Sequence, residues 1–195
     1  DADTKENLLY EAENYYNESL MVAEDQNNIF SIMFALKGLF DCAIVSSSYD
    51  SCEGLFQILN KYLESYKSLG ETISELEKKK IEDGQEFDHK DVKKLNELNN
   101  DLNKLSDALP ILGKSLKELL NKTDRYNEEI ENYYNIILIV AENQKNIWNI
   151  MFGLEGLFQC AIIVESFGGC KRLFKILNKY LESYKKLLDE YPITT

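Results

Sequence analysis

Ile58-Leu59-Asn60-Lys61-Tyr62-Leu63-Glu64-Ser65-Tyr66-Lys67 occurs twice in this chain, returning unchanged as Ile176 to Lys185. Its apolar residues, Ile58, Leu59, Tyr62, Leu63 and Tyr66, recur at spacings of three and four, the period of one face of an α-helix. The match extends outward on both sides. Glu13 to Leu69 returns as Glu131 to Leu187 at a constant offset of 118 residues and without a gap, with 37 of 57 positions identical. The chain therefore reads as one helical unit made twice, and chemistry essential to the unit is expected in both copies. Identity covers the polar as well as the apolar face of Ile58 to Lys67, which is more than core packing requires. Recent duplication accounts for that, and so does a shared binding surface, for which Tyr62, Tyr66, Tyr180 and Tyr184 are the candidates.

The rest of the chain carries the same period. Strand alternation and hairpin turn signals are nearly absent, and only two prolines interrupt the sequence. The reading is all-α: a helical bundle built from a tandem duplication, with a first unit over residues 1–69, a helical connector over 70–127 and a second unit over 128–195. Within the first unit a helix is expected from about Thr4 to Asp25, with Leu8, Leu9, Ala12, Tyr15, Tyr16, Leu20 and Ala23 facing inward. A second, from about Asn27 to Ser46, is apolar nearly all round and should be the buried central helix. No Gly or Pro separates the two, so one continuous helix is also compatible. Ser46 to Tyr49 makes a turn, and Asp50 with Glu53 forms a capping box for the third helix, which continues to Glu82. In the second unit Ser166-Phe167-Gly168-Gly169 replaces the turn. The connector should hold a helix from Asp88 to Ala108, whose leucines at 95, 98, 102, 105 and 109 pack on something. A last helix starting near Pro110 runs through Asp124 into the second unit.

Four cysteines form two pairs, Cys42 with Cys52 and Cys160 with Cys170, each with nine intervening residues and superimposed by the repeat. An even count at repeated spacing favours disulfide staples and an oxidising compartment. Local bridges Cys42–Cys52 and Cys160–Cys170, crossed bridges between units, and four buried free thiols are the readings open to the sequence. The spacing does not suit zinc, and the only histidine, His89, lies outside both repeats. Asn17-Glu18-Ser19 and Asn121-Lys122-Thr123 are glycosylation sequons, though the repeat replaces Ser19 by Ile137.

Charge and composition narrow the function classes. A net charge of −12 opposes nucleic-acid binding, which needs a basic footprint. It opposes anionic membrane surfaces as well. No apolar run approaches the roughly 18–20 residues of a membrane span; the longest, Ile136 to Val140, is far shorter. The chain starts at Asp1 without an apolar leader, which fits a mature secreted form with its signal peptide removed and equally a trimmed chain. A lone histidine without a nucleophile partner does not make a hydrolase. No glycine pattern resembles a phosphate loop. Glu24 and Glu142 recur beside the apolar second helix, as helix-end charges or as partners of Lys or Tyr. Gly38 and Gly156 recur with Ala35 and Gly153 one turn earlier, a sign of close helix contact. The expectation is a protein that is not an enzyme and needs no cofactor.

Between the cysteines of the first pair stands Tyr49, and the second pair holds Phe167 in its place. Two Cys-Tyr-Cys elements in a small chain of this kind resemble the bicycle proteins of gall-forming aphids, with Phe167 a departure in the second. That resemblance covers the two turn regions. It implies a salivary effector delivered into plant tissue, which acts by binding a host macromolecule to alter development. A second reading of the chain is a secreted helical carrier of a lipid or other small apolar ligand, prompted by its very apolar helices.

Overall fold

The computed structural model describes residues 2–83, 89–165 and 168–190. Over these the protein is all-helical: α1 (Ala2–Asp25), α2 (Ile29–Ser46), a 3₁₀ turn (Tyr49–Ser51), α3 (Cys52–Asp83), α4 (His89–Ala108), a 3₁₀ turn (Leu109–Leu112), α5 (Gly113–Lys122), α6 (Asn127–Gln144), α7 (Ile147–Ile163) and α8 (Cys170–Glu190). The repeat maps α1, α2 and α3 onto α6, α7 and α8. Each unit opens with a helical hairpin, α1 on α2 and α6 on α7.

α1 and α2 are separate helices, because the chain reverses at Asn27, whose φ is 49°. The Asn28 N–H bonds the Ala23 carbonyl and the Asn27 N–H that of Glu24, the paired bonds that close a helix end around one left-handed residue. Asn28 then caps α2, its side chain accepting from the Ser31 N–H at 3.2 Å. Lys145 (φ 56°) and Asn146 repeat the device in the second unit, with Asn146 accepting from the Asn149 N–H at 3.2 Å. Asn enters the left-handed region more readily than most residues, which suits Asn27; at Lys145 the same turn is made without that preference.

α2 is the central helix, as its all-round apolarity predicts. Ile32, Met33, Leu36 and Phe40 are essentially inaccessible, and α2 touches α1, α3, α4, α5 and the Leu109–Leu112 turn. The expectation that no segment reaches membrane-span length is corrected here. Among the described residues one helix, Ile29–Ser46, has 18 residues with a mean hydropathy of 1.8, long and apolar enough to cross a membrane. Lys37 and Asp41 interrupt the apolar run in the sequence, but they pair with each other one turn apart. More than half of α2 is buried inside the fold.

Three other expectations change. α1 faces the core only through its C-terminal half: Leu20 and Ala23 are buried, Tyr16 half-buried, and Leu8 and Tyr15 exposed. Asp50 lies in a 3₁₀ turn and meets Arg125 across the fold, where a cap for α3 was expected. The helix expected to run from Pro110 into the second unit is broken twice. Leu109–Leu112 is a 3₁₀ turn and α5 ends at Lys122; the chain passes through extended Thr123 before α6 starts at Asn127. Asp88 lies outside the described residues.

The connector is part of the core. Leu102, Leu105, Leu109, Leu112, Leu116, Leu119 and Leu120 are buried in one apolar cluster with residues of both units. α3 also meets α6 directly, close enough that a methyl on Gly70 would lie 3.0 Å from Val140. The cover is one-sided. Phe56 and Leu63 of α3 are 3% and 1% exposed, whereas their counterparts Phe174 and Leu181 on α8 are each 55% exposed.

Candidate functional site

The Cys-Tyr-Cys corner of the first unit is held from across the fold. The Tyr126 hydroxyl donates to the Tyr49 carbonyl at 2.6 Å, and Arg125 pairs with Asp50. Phe56 stacks between Phe40 and Tyr126, 5.0 Å from each ring. Tyr49 itself is half-buried against the core. In the second unit Phe158 and Phe174 repeat the Phe40–Phe56 pair, again at 5.0 Å. Phe167 lies outside the described residues.

The expected staples are not formed in this structure: all four cysteines are free, Cys42, Cys52 and Cys160 buried and Cys170 half-buried. Burial pushes the Cys52 and Cys160 thiols up to about 11 from an ordinary 9.0. It raises Cys42 too, helped by Glu13 and Asp41. Thiols protonated at neutral pH are poor nucleophiles, so these cysteines are packing groups here. The folded reduced protein thus keeps protons that its unfolded chain releases near pH 9. Stability should hold below pH 9 and fall as pH rises to 11, with a slope of up to about 1.4 kcal/mol per pH unit for each such group. Urea unfolding midpoints at pH 8, 9, 10 and 11 test this, and a midpoint constant across the range would refute it.

Of the four candidate surface tyrosines, Tyr62 and Tyr180 are half-buried in matching settings. Lys61 lies 3.8 Å from Glu24 and 5.4 Å from the Tyr62 ring centre; Lys179 lies 3.9 Å from Glu142 and 5.3 Å from the Tyr180 ring centre. Burial, and then the neighbouring glutamate, raise both phenol pKa values. Glu24 and Glu142 stand in the last turns of α1 and α6, where the helix dipole disfavours an acid, and the lysines offset that. This recurrent Glu–Lys–Tyr arrangement gives a structural reason for identity on the polar face of α3 and α8. The pairs are exposed enough to be worth no more than about 1 kcal/mol each.

Tyr66 is not a surface residue. It is fully buried, and its hydroxyl meets Ser106 Oγ at 3.3 Å. Asn149 Nδ2 donates to the Ser106 carbonyl at 2.9 Å and to its Oγ at 2.7 Å, and Asn146 Nδ2 donates to the same Oγ at 3.2 Å. One serine of α4 thereby joins α3 of the first unit to α7 of the second. Sequence reading missed Ser106 and Asn149: Ser106 is unrepeated, and Asn149 replaces Ser31 of the first unit. Beside this hub is a cleft of about 420 Å³ lined by Asn99, Asn103, Asn143, Gln144 and Asn146, with Glu77 and Lys145. Its amides can donate and accept hydrogen bonds, and Glu77 is the one acidic residue of its lining. The side chain of Tyr184 lies outside the described residues.

Asn17 is exposed in the middle of α1. Asn121 sits in the last turn of α5, where its Nδ2 donates to the Lys117 carbonyl at 3.0 Å. Both acceptor asparagines are thus on helices, whereas glycosylated sequons favour surface loops. His89 is exposed at the start of α4. Among the described residues no group of His, Cys, Asp and Glu is placed to hold a metal.

The most distinctive surface is apolar. Ile147, Trp148, Met151 and Ile162 are exposed along α7, with the chain's single tryptophan 87% accessible. The counterparts of Met151 and Ile162 in the first unit, Met33 and Ile44, are buried, on the helix that the connector covers. No family model, curated protein or solved structure matches the chain.

Proposed function

We propose that this chain is a secreted, non-enzymatic effector, carried in a salivary secretion into a host plant, that binds a host protein to alter development as in gall formation. The observation that carries the binding part is the exposed face of α7. Apolar surface held open to water is characteristic of interaction sites, and Trp148, near the N-terminal end of this face, is of the type most enriched among residues that dominate interfaces. The secretory part rests on the paired cysteines and on the Cys-Tyr-Cys element of the first unit with its Cys-Phe-Cys counterpart in the second. In an oxidising compartment Cys42, one turn from the end of α2, closes on Cys52 at the start of α3, and Cys160 on Cys170 likewise. The acidic net charge favours a protein over a nucleic acid as partner. The amide lining of the cleft at the hub suits a polar occupant better than a lipid, so carriage of an apolar ligand is the less supported reading.

Two measurements test this. Peptide mapping of the native protein without reduction, after blocking free thiols, should recover Cys42–Cys52 and Cys160–Cys170; four blocked thiols would remove the secretory argument. The purified protein should retain a host-tissue protein, with Trp148→Ala weakening retention at least about tenfold, since tryptophan is enriched among the interface residues whose truncation costs about 2 kcal/mol or more. Retention unchanged by Trp148→Ala would sink the assignment of this face.

A further inference from the structure

We infer that the chain associates head to tail with a second copy of itself, the exposed face of α8 receiving α1 of the next molecule. The template is internal. Within one molecule α3 of the first unit packs on α6 of the second. By the repeat, α8 corresponds to α3 and α1 to α6, so each molecule carries both halves of the same contact at its two unpartnered faces. The residues are those that the internal contact and the connector cover. Phe174 and Leu181 are open where Phe56 and Leu63 are closed. Tyr15 and Val22 are 66% and 55% exposed, whereas Tyr133 and Val140 are 0% and 2% exposed.

Charge supplies the second argument. α1 carries seven acidic residues and one lysine, and α8 six basic and three acidic residues. The differences between the units build this complementarity. Cys52 to Leu69 and Cys170 to Leu187 differ at four positions, and every change adds a basic residue: Glu53 to Lys171, Gly54 to Arg172, Gln57 to Lys175 and Ser68 to Lys186. On the other face α1 has Glu18 where α6 has Ile136. An acidic helix face thus meets a basic one in a protein whose net charge of −12 otherwise opposes self-association. The contact is heterologous, and it adds molecules in series.

The experiment uses the purified chain alone in analytical ultracentrifugation, so it stands or falls separately from host binding. The parent should show a mass that rises with concentration, and the association should weaken at least tenfold when salt is raised from about 0.05 M to about 0.5 M. Two blocked chains then separate the geometries. Tyr15→Lys/Val22→Lys closes the α1 face, and Phe174→Glu/Leu181→Glu closes the α8 face; all four residues are exposed, and circular dichroism checks that both chains keep the parent's helicity. Each alone should be monomeric, and an equimolar mixture should form a dimer and nothing larger, through the α8 face of one and the α1 face of the other. A monomeric parent at low salt overturns the inference. So does either blocked chain that associates alone as the parent does, or a mixture that stays monomeric.

Discussion

Leu63→Ala is expected to destabilise the protein by about 2–5 kcal/mol, and Leu181→Ala by no more than about 0.5 kcal/mol. The two leucines lie within identical ten-residue segments, so propensity, neighbours and helix position are matched and only the tertiary setting differs. Leu63 is 1% exposed, in the core shared with the connector and the second unit. Removing its branch leaves a cavity that close-packed neighbours refill poorly. Leu181 is 55% exposed on α8, and trimming it removes little that is shielded from water. Urea denaturation of the two variants at low protein concentration, where molecules are separate, reads the difference directly. Equal losses would mean that α8 is covered in the monomer as α3 is.

Gly156→Ala and Gly38→Ala form a second matched pair with unequal outcomes. A methyl on Gly156 would fall about 2.1 Å from the Tyr134 ring, and one on Gly38 about 2.4 Å from the Tyr16 ring. Both are overlaps that require movement. Tyr134 is buried, and its hydroxyl is bonded to the Gly113 carbonyl at 3.0 Å, while its ring packs on Tyr133 and Phe152. It has nowhere to go, and the overpacking should cost about 1–3 kcal/mol. Tyr16 is half-buried at the edge of the fold and can swing outward. Ala also favours the helix over Gly by about 1 kcal/mol, so Gly38→Ala should be near neutral. Thermal unfolding of both variants checks this; a larger loss at Gly38 than at Gly156 would contradict the packing described.

The small residues of α2 and α7 were legible in the sequence as marks of close helix contact: Tyr16 fills the space at Gly38, Tyr134 that at Gly156 and Leu138 that at Gly153. The central position of α2 was legible as well, because a helix apolar on nearly every face has no stable place outside a core. The breaks between helices were not. Asn27 and Lys145 take up left-handed turns that their residue types permit but do not announce, and Thr123 interrupts a stretch with no breaker in it. Of the candidate surface tyrosines, Tyr62 and Tyr180 are at the surface, but Tyr66 is buried at the Ser106 hub. A stripe of tyrosines at helical spacing reads the same whether the next layer of structure covers it or leaves it open.

The sequence by itself determined that this protein is helical, that its first and last parts are one unit written twice, and which positions of each unit are apolar. Those properties are local or internal to one repeat, and period and identity express them in full. The tertiary structure alone decided which copy of each residue is buried. α6 packs along α3 and the connector along α2, whereas Phe174 and Leu181 of α8 and Met151 of α7 have no such cover. The same Phe, Leu and Met side chains are therefore core at one end of the molecule and open surface at the other.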